Sequence, residues 1–372
     1  MAESGLRPNR ALKVAVVSPT PFGGSGYLGG GERYPVEFAR AMSRVVPCSL
    51  ITFDERRASS EDEFGLAVET FKRLPIGSNR LVDPWSFRVI RHLASFDVIH
   101  CFNATKVSIA LAAAARFSGK RAYLTQLGGG GRTGIRKLRL HRLFRGFLPI
   151  SRYSLQQFPW MSDGDHQIIY GGGDASPFAS PMSPQTESTA TGFVLFTGRI
   201  SPHKGIDRLI QALPENLELV VAGQIVDSIY HSYLTTQVGE KKVRFVIAQN
   251  DSELQRLYRN CLCVVLPSTR RDYRGHLHPH PELLGLTLLE GMWHSRPAIA
   301  SDVASLPEIV ENGRTGFTFP DGDVKGLRLI LERLPREPEL AKSIGASGRE
   351  SVEKKFNWQT TAESALDFYR RT

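Results

Sequence analysis

The sequence predicts an α/β protein made of two doubly wound, parallel-sheet units. Three observations predict it. Apolar runs of strand length alternate with helix-length amphipathic stretches in both halves of the chain, a pattern that favours parallel sheets covered by helices. Between the halves, Asp174 to Gly192 is rich in Ser, Pro, Thr and Ala and reads as a linker. The 372 residues, 41% of them apolar, suffice for two full cores.

The elements follow in order. Val14–Ser18 is a first strand, Glu32–Arg44 a helix and Cys48–Phe53 a second strand. Phe96–His100 is a later strand. Ser108–Phe117 is an Ala-rich helix, and Ala122–Leu127 the strand after it. Phe147–Ser151 and Gln167–Tyr170 close the first unit. Phe193–Gly198, an apolar run ended by glycine, opens the second and leads to an amphipathic helix, Ile206–Leu213. Cys261–Leu266 is another strand. The expected boundaries are 1–175 for the first unit, 176–192 for the linker, 193–355 for the second unit and 356–372 for a closing segment.

The most telling residues are two carboxylates, Glu282 and Glu290, separated by the seven residues Leu-Leu-Gly-Leu-Thr-Leu-Leu. The apolar run and Gly285 read as a loop turning into a buried helix. Glu282 then precedes the helix, and Glu290 lies about a turn and a half inside it. An acid in an apolar helix needs a partner, because burying an unpaired carboxylate is costly. The free amides of such a helix start also suit an anion. Upstream, Arg199 and Lys204 flank the strand-to-helix loop Arg-Ile-Ser-Pro-His-Lys-Gly. Two cations on one loop could grip a diphosphate, Arg as a planar fork and Lys as a point charge.

Gly198-Arg199-x4-Lys204-Gly205, Glu282-x7-Glu290 and Pro307-Glu308-Ile-Val-Glu-Asn-Gly-Arg-Thr-Gly316, in that order, resemble the retaining glycosyltransferases of family four. The likeness spans nearly the whole chain and is densest from Phe193 to Asp323. It implies the GT-B fold, two Rossmann-like domains facing a central cleft, and transfer of a sugar from a UDP- or GDP-linked donor with retention. It also implies roles. Arg199 and Lys204 neutralise the leaving diphosphate. Glu282 meets donor-sugar hydroxyls with the amides near Gly285 and Leu286, and Glu290 holds the ribose. Gly198 closes the strand beneath them, and Gly30 and Gly31 approach the phosphates from the first unit. Catalysis is thereby expected from Arg199, Lys204 and Glu282. No metal and no cofactor is implied, since the two cations replace the metal and no Asp-x-Asp motif is needed.

The loop Pro19–Gly31 contains Gly24-x-Gly26-x-x-Gly29, the dinucleotide fingerprint read literally, with Asp54 ending the next strand. It sets up a rival, an NAD-dependent oxidoreductase. Five residues between Ser18 and Gly24 count against that, because the fingerprint should follow its strand at once. Three more rivals share the two-domain pattern: a nucleotide-sugar epimerase, a different non-transferring enzyme of this fold, and a binding protein that keeps the pocket. Thr125-x-x-Gly128 matches a family pattern in which Leu127 takes the place of a histidine, so individual residues there are less defined than the reaction. His100, Asn103, Gly128 and Gly129 are the acceptor-side candidates, with a satisfied core histidine as the equal alternative for His100. His276, His278 and His280 alternate just ahead of Glu282, but Pro279 and Pro281 argue for an irregular loop rather than a metal-binding strand. The loop is expected to lie beside the donor or to be a solvated surface.

All of the formal net charge of +10 sits in residues 1–180, which hold 24 Lys and Arg against 14 Asp and Glu. Its densest part carries Arg136, Lys137, Arg139, Arg142 and Arg145 among Ile and Leu at helical spacing. A basic amphipathic segment there is expected to face anionic lipid or an anionic or lipid-linked acceptor, or else solvent. Nucleic acid is not expected, because the interleaved residues are mostly aliphatic and no recognised binding motif appears. Cys48, Cys101, Cys261 and Cys263 lack Cys-x-x-Cys spacing and suit buried thiols in a reducing compartment. No run approaches a membrane span and no signal peptide is visible. The expected location is cytoplasmic, with peripheral attachment to the inner face of the membrane through the basic segment.

Overall fold

The computed structural model describes residues 12–19, 29–54, 58–61, 65–72, 86–128, 134–174, 192–247 and 251–372. The loop at 20–28, Gly129 and most of the expected linker lie outside them. The first sheet contains β1 (Val14–Val17), β2 (Cys48–Asp54), β3 (Ala58–Glu61), β4 (Ala67–Lys72), β5 (Val98–Phe102), β6 (Arg121–Thr125), β7 (Gly146–Phe147) and β8 (Asp165–His166). Its order is β3-β4-β2-β1-β5-β6-β7-β8, parallel throughout except for β3 against β4. The second contains β9 (Phe193–Thr197), β10 (Glu218–Ala222), β11 (Lys242–Val246), β12 (Cys261–Leu266), β13 (Ala298–Ser301) and β14 (Gly316–Phe319). It is all parallel, in the order β11-β10-β9-β12-β13-β14. Central strands β1, β5 and β12 are buried at every residue, as a sheet covered on both faces requires.

The helices are α1 (Gly30–Ser43), α2 (Phe87–His92), α3 (Lys106–Phe117), α4 (Gly134–Lys137) and α5 (Arg152–Gln157), then α6 (Ile206–Ala212), α7 (Ser228–Gln237) and α8 (Asp251–Asn260). They continue as α9 (Leu286–Trp293), α10 (Leu306–Ile309), α11 (Val324–Arg336), α12 (Pro338–Lys355) and α13 (Trp358–Arg371). α13 packs on the first sheet's side of the molecule. The Tyr34 and Trp358 rings meet edge to face at 4.8 Å, and Tyr123 Oη lies 2.8 Å from Thr372 Oγ1.

Two expectations change. Phe147–Ser151 and Gln167–Tyr170 run side by side, with Gln167 N donating to Phe147 O and Ile169 N to Pro149 O. Pro149 has no N–H to return, so the regular ladder shrinks to β7 and β8. The basic segment is not one helix. α4 stops at Lys137, Arg139 adopts left-handed φ of 54°, and a separate 3-10 turn covers Leu140–Leu143.

Candidate functional site

Counted from β9, the second sheet follows the doubly wound order 3-2-1-4-5-6, which reverses between β9 and β12. Ligands of such sheets bind outside the carboxyl ends of the strands at that reversal. The loops there are the ones that carry Arg199, Lys204 and Glu282. Gly205 brings them together. Its φ is 65°, and a Cβ on it would stand 2.1 Å from Pro267 O, so only glycine lets the β9 loop fold onto the end of β12. Thr269 N then donates to His203 O at 2.9 Å, and Lys204 Nζ pairs with the Glu282 carboxylate. Arg199 is exposed and forms no ion pair with any described residue. His203, beside both cations, is pushed down to about 2 by burial and then by Lys204 and Arg199. It is therefore neutral.

Gly285, at φ 94°, turns the chain into α9, whose N-terminus has no side-chain cap. Glu282 precedes it on the same loop. Glu290 is 5% exposed in the middle of α9, and the partner it requires is found. Tyr258 Oη donates to Glu290 Oε2 at 2.6 Å, and Thr197 Oγ1 lies 2.7 Å from the same hydroxyl. Burial and the adjacent carboxylate hold the Tyr258 phenol well above its ordinary value, so it stays a donor. Arg33 of α1 reaches Glu290 Oε1 at 3.5 Å and Asp251 Oδ1 at 3.7 Å.

The first sheet contributes glycine and amide groups. A Cβ on Gly30 would lie 3.5 Å from Leu286 Cδ1, and one on Gly29 3.8 Å from Arg199 Cδ, whereas Gly31 faces open space. Gly128, at φ 143°, lies opposite Leu283, its Cβ position 3.8 Å from Leu283 Cδ1. Asn103, left-handed at φ 65°, accepts from Leu127 N at 2.9 Å, and buried Gln126 accepts from Ala104 N at 2.9 Å. These amides lock the loops after β5 and β6 to each other. His100 does not join them. It is wholly buried, with Nδ1 2.5 Å from Tyr369 Oη and Nε2 2.8 Å from Thr125 Oγ1, and burial pushes it down to about 3. The reading of His100 as an acceptor-side group is corrected: a β5 residue whose side chain meets α13 cannot face the cleft.

A second set of contacts locks the Glu282 loop to the first sheet. Ser151 Oγ donates to Leu283 O at 2.7 Å and Tyr153 Oη to Pro279 O at 3.1 Å. Glu308 caps α5, accepting from Arg152 N at 2.8 Å, Tyr153 N at 2.7 Å and Tyr170 Oη at 2.9 Å. In the His-rich loop, Asp272 is the organiser. Burial works against its carboxylate, but hydrogen bonds from His278 and the amides of His276 and Arg274 outweigh this and lower its pKa. His278 Nε2 sits 2.9 Å from Asp272 Oδ2, while His280 packs on Phe158 at 5.5 Å and His276 is exposed. His276 Nδ1 stands 3.8 Å from the same Asp272 oxygen, whereas His280 turns away to Phe158. Among the described residues no cluster of His, Cys, Asp and Glu could hold a metal.

Sequence reasoning missed Arg33, Tyr258 and the cap by Glu308. One signal was present for Arg33: a cation in the first turn of a helix opposes the helix dipole and needs a compensating acid.

Two doubly wound sheets, one carrying cations and carboxylates at its switch point and the other presenting glycines to them, define the GT-B fold. A solved structure with this fold, HepE of Anabaena in complex with UDP and glucose, superposes with a TM-score of 0.73 at 20% identity, covering 97% of this chain and 100% of that one. Residues 182–351 match the family described as Glycosyl transferases group 1. The glycogen synthase of Mycobacterium tuberculosis is 28% identical over 212 residues, 54% of this chain and 47% of that protein. The D-inositol 3-phosphate glycosyltransferase of Saccharomonospora viridis is 29% identical over 191 residues, 47% and 42% of the two. The chain thus spans about half the length of the curated relatives it matches.

Proposed function

We propose that this protein is a retaining glycosyltransferase that moves a sugar from a UDP- or GDP-linked donor to an acceptor. The observation that carries the reading is the Lys204–Glu282 pair at the β9–β12 switch point, with exposed Arg199 and the uncapped start of α9 beside it. Lys204 and Arg199 are the cations for the diphosphate, with the α9 amides as further donors. As the anomeric C–O bond to phosphate breaks, charge develops on the leaving oxygen, and preorganised cations there lower the barrier. The acceptor oxygen bonds the anomeric carbon on the same face, and its proton passes to the departing phosphate. No enzymic base is required, so a leucine at position 127 is compatible with the reaction.

Glu282, held by Lys204, is the group for donor-sugar hydroxyls. Glu290 is the group for the ribose, its Oε2 already taken by Tyr258 and its Oε1 turned toward Arg33. Gly30 and Gly128 are the close-approach points of the first unit, with Asn103 as the residue that shapes the acceptor side. Arginine and lysine take the role of a divalent metal, and the nucleotide sugar is a substrate rather than a cofactor. A location at the inner face of a membrane is supported by Lys137, Arg139, Arg142 and Arg145, all exposed, around a Leu138 that is 68% exposed. No helix among the described residues is long and apolar enough to cross a membrane. Isothermal titration with UDP, GDP and NAD tests the class. Heat from UDP or GDP but not NAD is expected, and heat from NAD alone would return the oxidoreductase.

A further inference from the structure

Arg33 occupies a position that its own helix disfavours. It is the fourth residue of α1, in the turn where the helix dipole is positive and a cation is destabilised. Its side chain is only 13% exposed. Burial disfavours its charge, but Glu290, Asp251 and Glu37 outweigh burial and raise its pKa further above the arginine value. Two of those three acids belong to the second sheet's side: Glu290 on α9 and Asp251 at the start of α8. Glu37 lies on α1 itself and is paired with Arg40 at 2.9 Å.

The distances within this triad matter. Tyr258 donates a true hydrogen bond to Glu290 Oε2 at 2.6 Å, whereas Arg33 stands 3.5 Å from Oε1. That is longer than a normal hydrogen bond yet close enough to orient a buried carboxylate. Among the described residues Tyr258 donates a hydrogen bond to Oε2 of this carboxylate, and a ligand of the proposed site would bring further donors to Oε1. A ribose diol supplies such donors.

We propose that Arg33 is a positioning residue for the nucleotide: by reaching from α1 to Glu290 and Asp251 it presents the Glu290 carboxylate to the ribose and couples nucleotide binding to the placement of the two units. The inference rests on the donor reading above. It makes the nucleotide site a property of both sheets, although the residues that touch the ribose come from one.

The experiment uses the full chain with Arg33→Met, which keeps the stem and removes the charge, and Arg33→Lys, which keeps the charge without the planar fork. Titration with UDP and GDP is paired with a fluorescence-transfer distance between labels on α3 and α11 in the nucleotide-free protein. For Arg33→Met, nucleotide affinity should fall about tenfold, within the usual range of inter-site coupling, and the label distance should increase. Arg33→Lys should recover part of both. With a donor sugar that turns over, the loss should appear in KM while kcat at saturating donor stays near wild type, which a general loss of folded protein would not produce. Arg33→Met matching wild type in affinity, or a changed distance with unchanged affinity, overturns the proposal. A wild type that binds neither UDP nor GDP removes the donor reading itself, and this inference with it.

Discussion

The carboxyl edges of the two sheets are built from different chemistry. At the second sheet, charge decides the arrangement: Lys204 with Glu282, Arg208 with Asp321 at 2.7 Å, and Glu290 between Tyr258 and Arg33. At the first, the described loops are tied by neutral groups. Asn103 holds the Leu127 amide, Gln126 holds the Ala104 amide, and His100 is held neutral by burial. Each edge is thereby suited to a different kind of contact. The paired charges of the second edge, with exposed Arg199 beside them, are the features on which the proposed contact to a diphosphate rests. A neutral amide frame fixes the shape of a wall and adds no net charge.

The largest disturbance of this contrast comes from removing a cation. Arg199→Ala or Lys204→Ala should lower turnover at saturating donor by roughly 10²- to 10³-fold, the usual cost of one donor at a developing charge. The two should differ in melting temperature. Lys204→Ala leaves Glu282 without its ion pair, whereas exposed Arg199 has none among the described residues. Unchanged turnover in either variant would take that residue out of the site.

A smaller effect separates the acids. Glu290→Gln should weaken free UDP or GDP by about tenfold or more, since it loses a charge-assisted contact to ribose. Glu282→Gln should spare nucleotide binding and depress transfer. Equal losses of nucleotide affinity in both would erase the division. Because Glu290 also accepts from Tyr258, its variant should lose some thermal stability, and a loss of stability without a loss of affinity would make it purely structural.

The neutral edge is tested through pH. His100 in the folded protein lies at about 3, well below the ordinary histidine value near 6.5. Below about 6.5 the unfolded chain binds a proton that the folded chain refuses, so this contribution to stability is full above that pH and is lost as pH falls toward 3. His100→Gln should cost roughly 1–3 kcal/mol at pH 7.5 through its two hydrogen bonds. It should also flatten the pH dependence of stability between 6.5 and 4, with transfer activity per folded molecule unchanged. A steep loss of activity without a loss of stability would put His100 back among the acceptor-side groups.

The smallest effect expected is at the exposed basic loop. Binding to anionic vesicles should weaken as salt rises, because the Debye length shrinks from about 10 Å at 0.1 M to about 3 Å at 1 M. Reversing the charges of Arg139, Arg142 and Arg145 should abolish it and leave nucleotide affinity intact. Indifference of the wild type to anionic vesicles at low salt would end the membrane reading.

Residue order alone settled the periodic and the local. Alternating apolar runs marked β1, β2, β9 and β12, because a strand buried on both faces must be apolar along its length. Gly285 before an apolar run marked the start of α9, and Gly205 the turn behind Lys204, because each demands a backbone that other residues rarely adopt. Folding supplied everything that depends on which distant residues meet. Arg33 and Glu290 are far apart in sequence, as are Glu308 and α5, and His100 and Tyr369, and no period or spacing relates them. Helical spacing across the basic segment was real, yet Arg139 broke the helix, since local pattern yields to the path the chain takes from β6 to β7. A side chain's chemical type can be read in one dimension. Its partner, and hence its charge state and its use, is set only when two parts of the chain are brought to the same place.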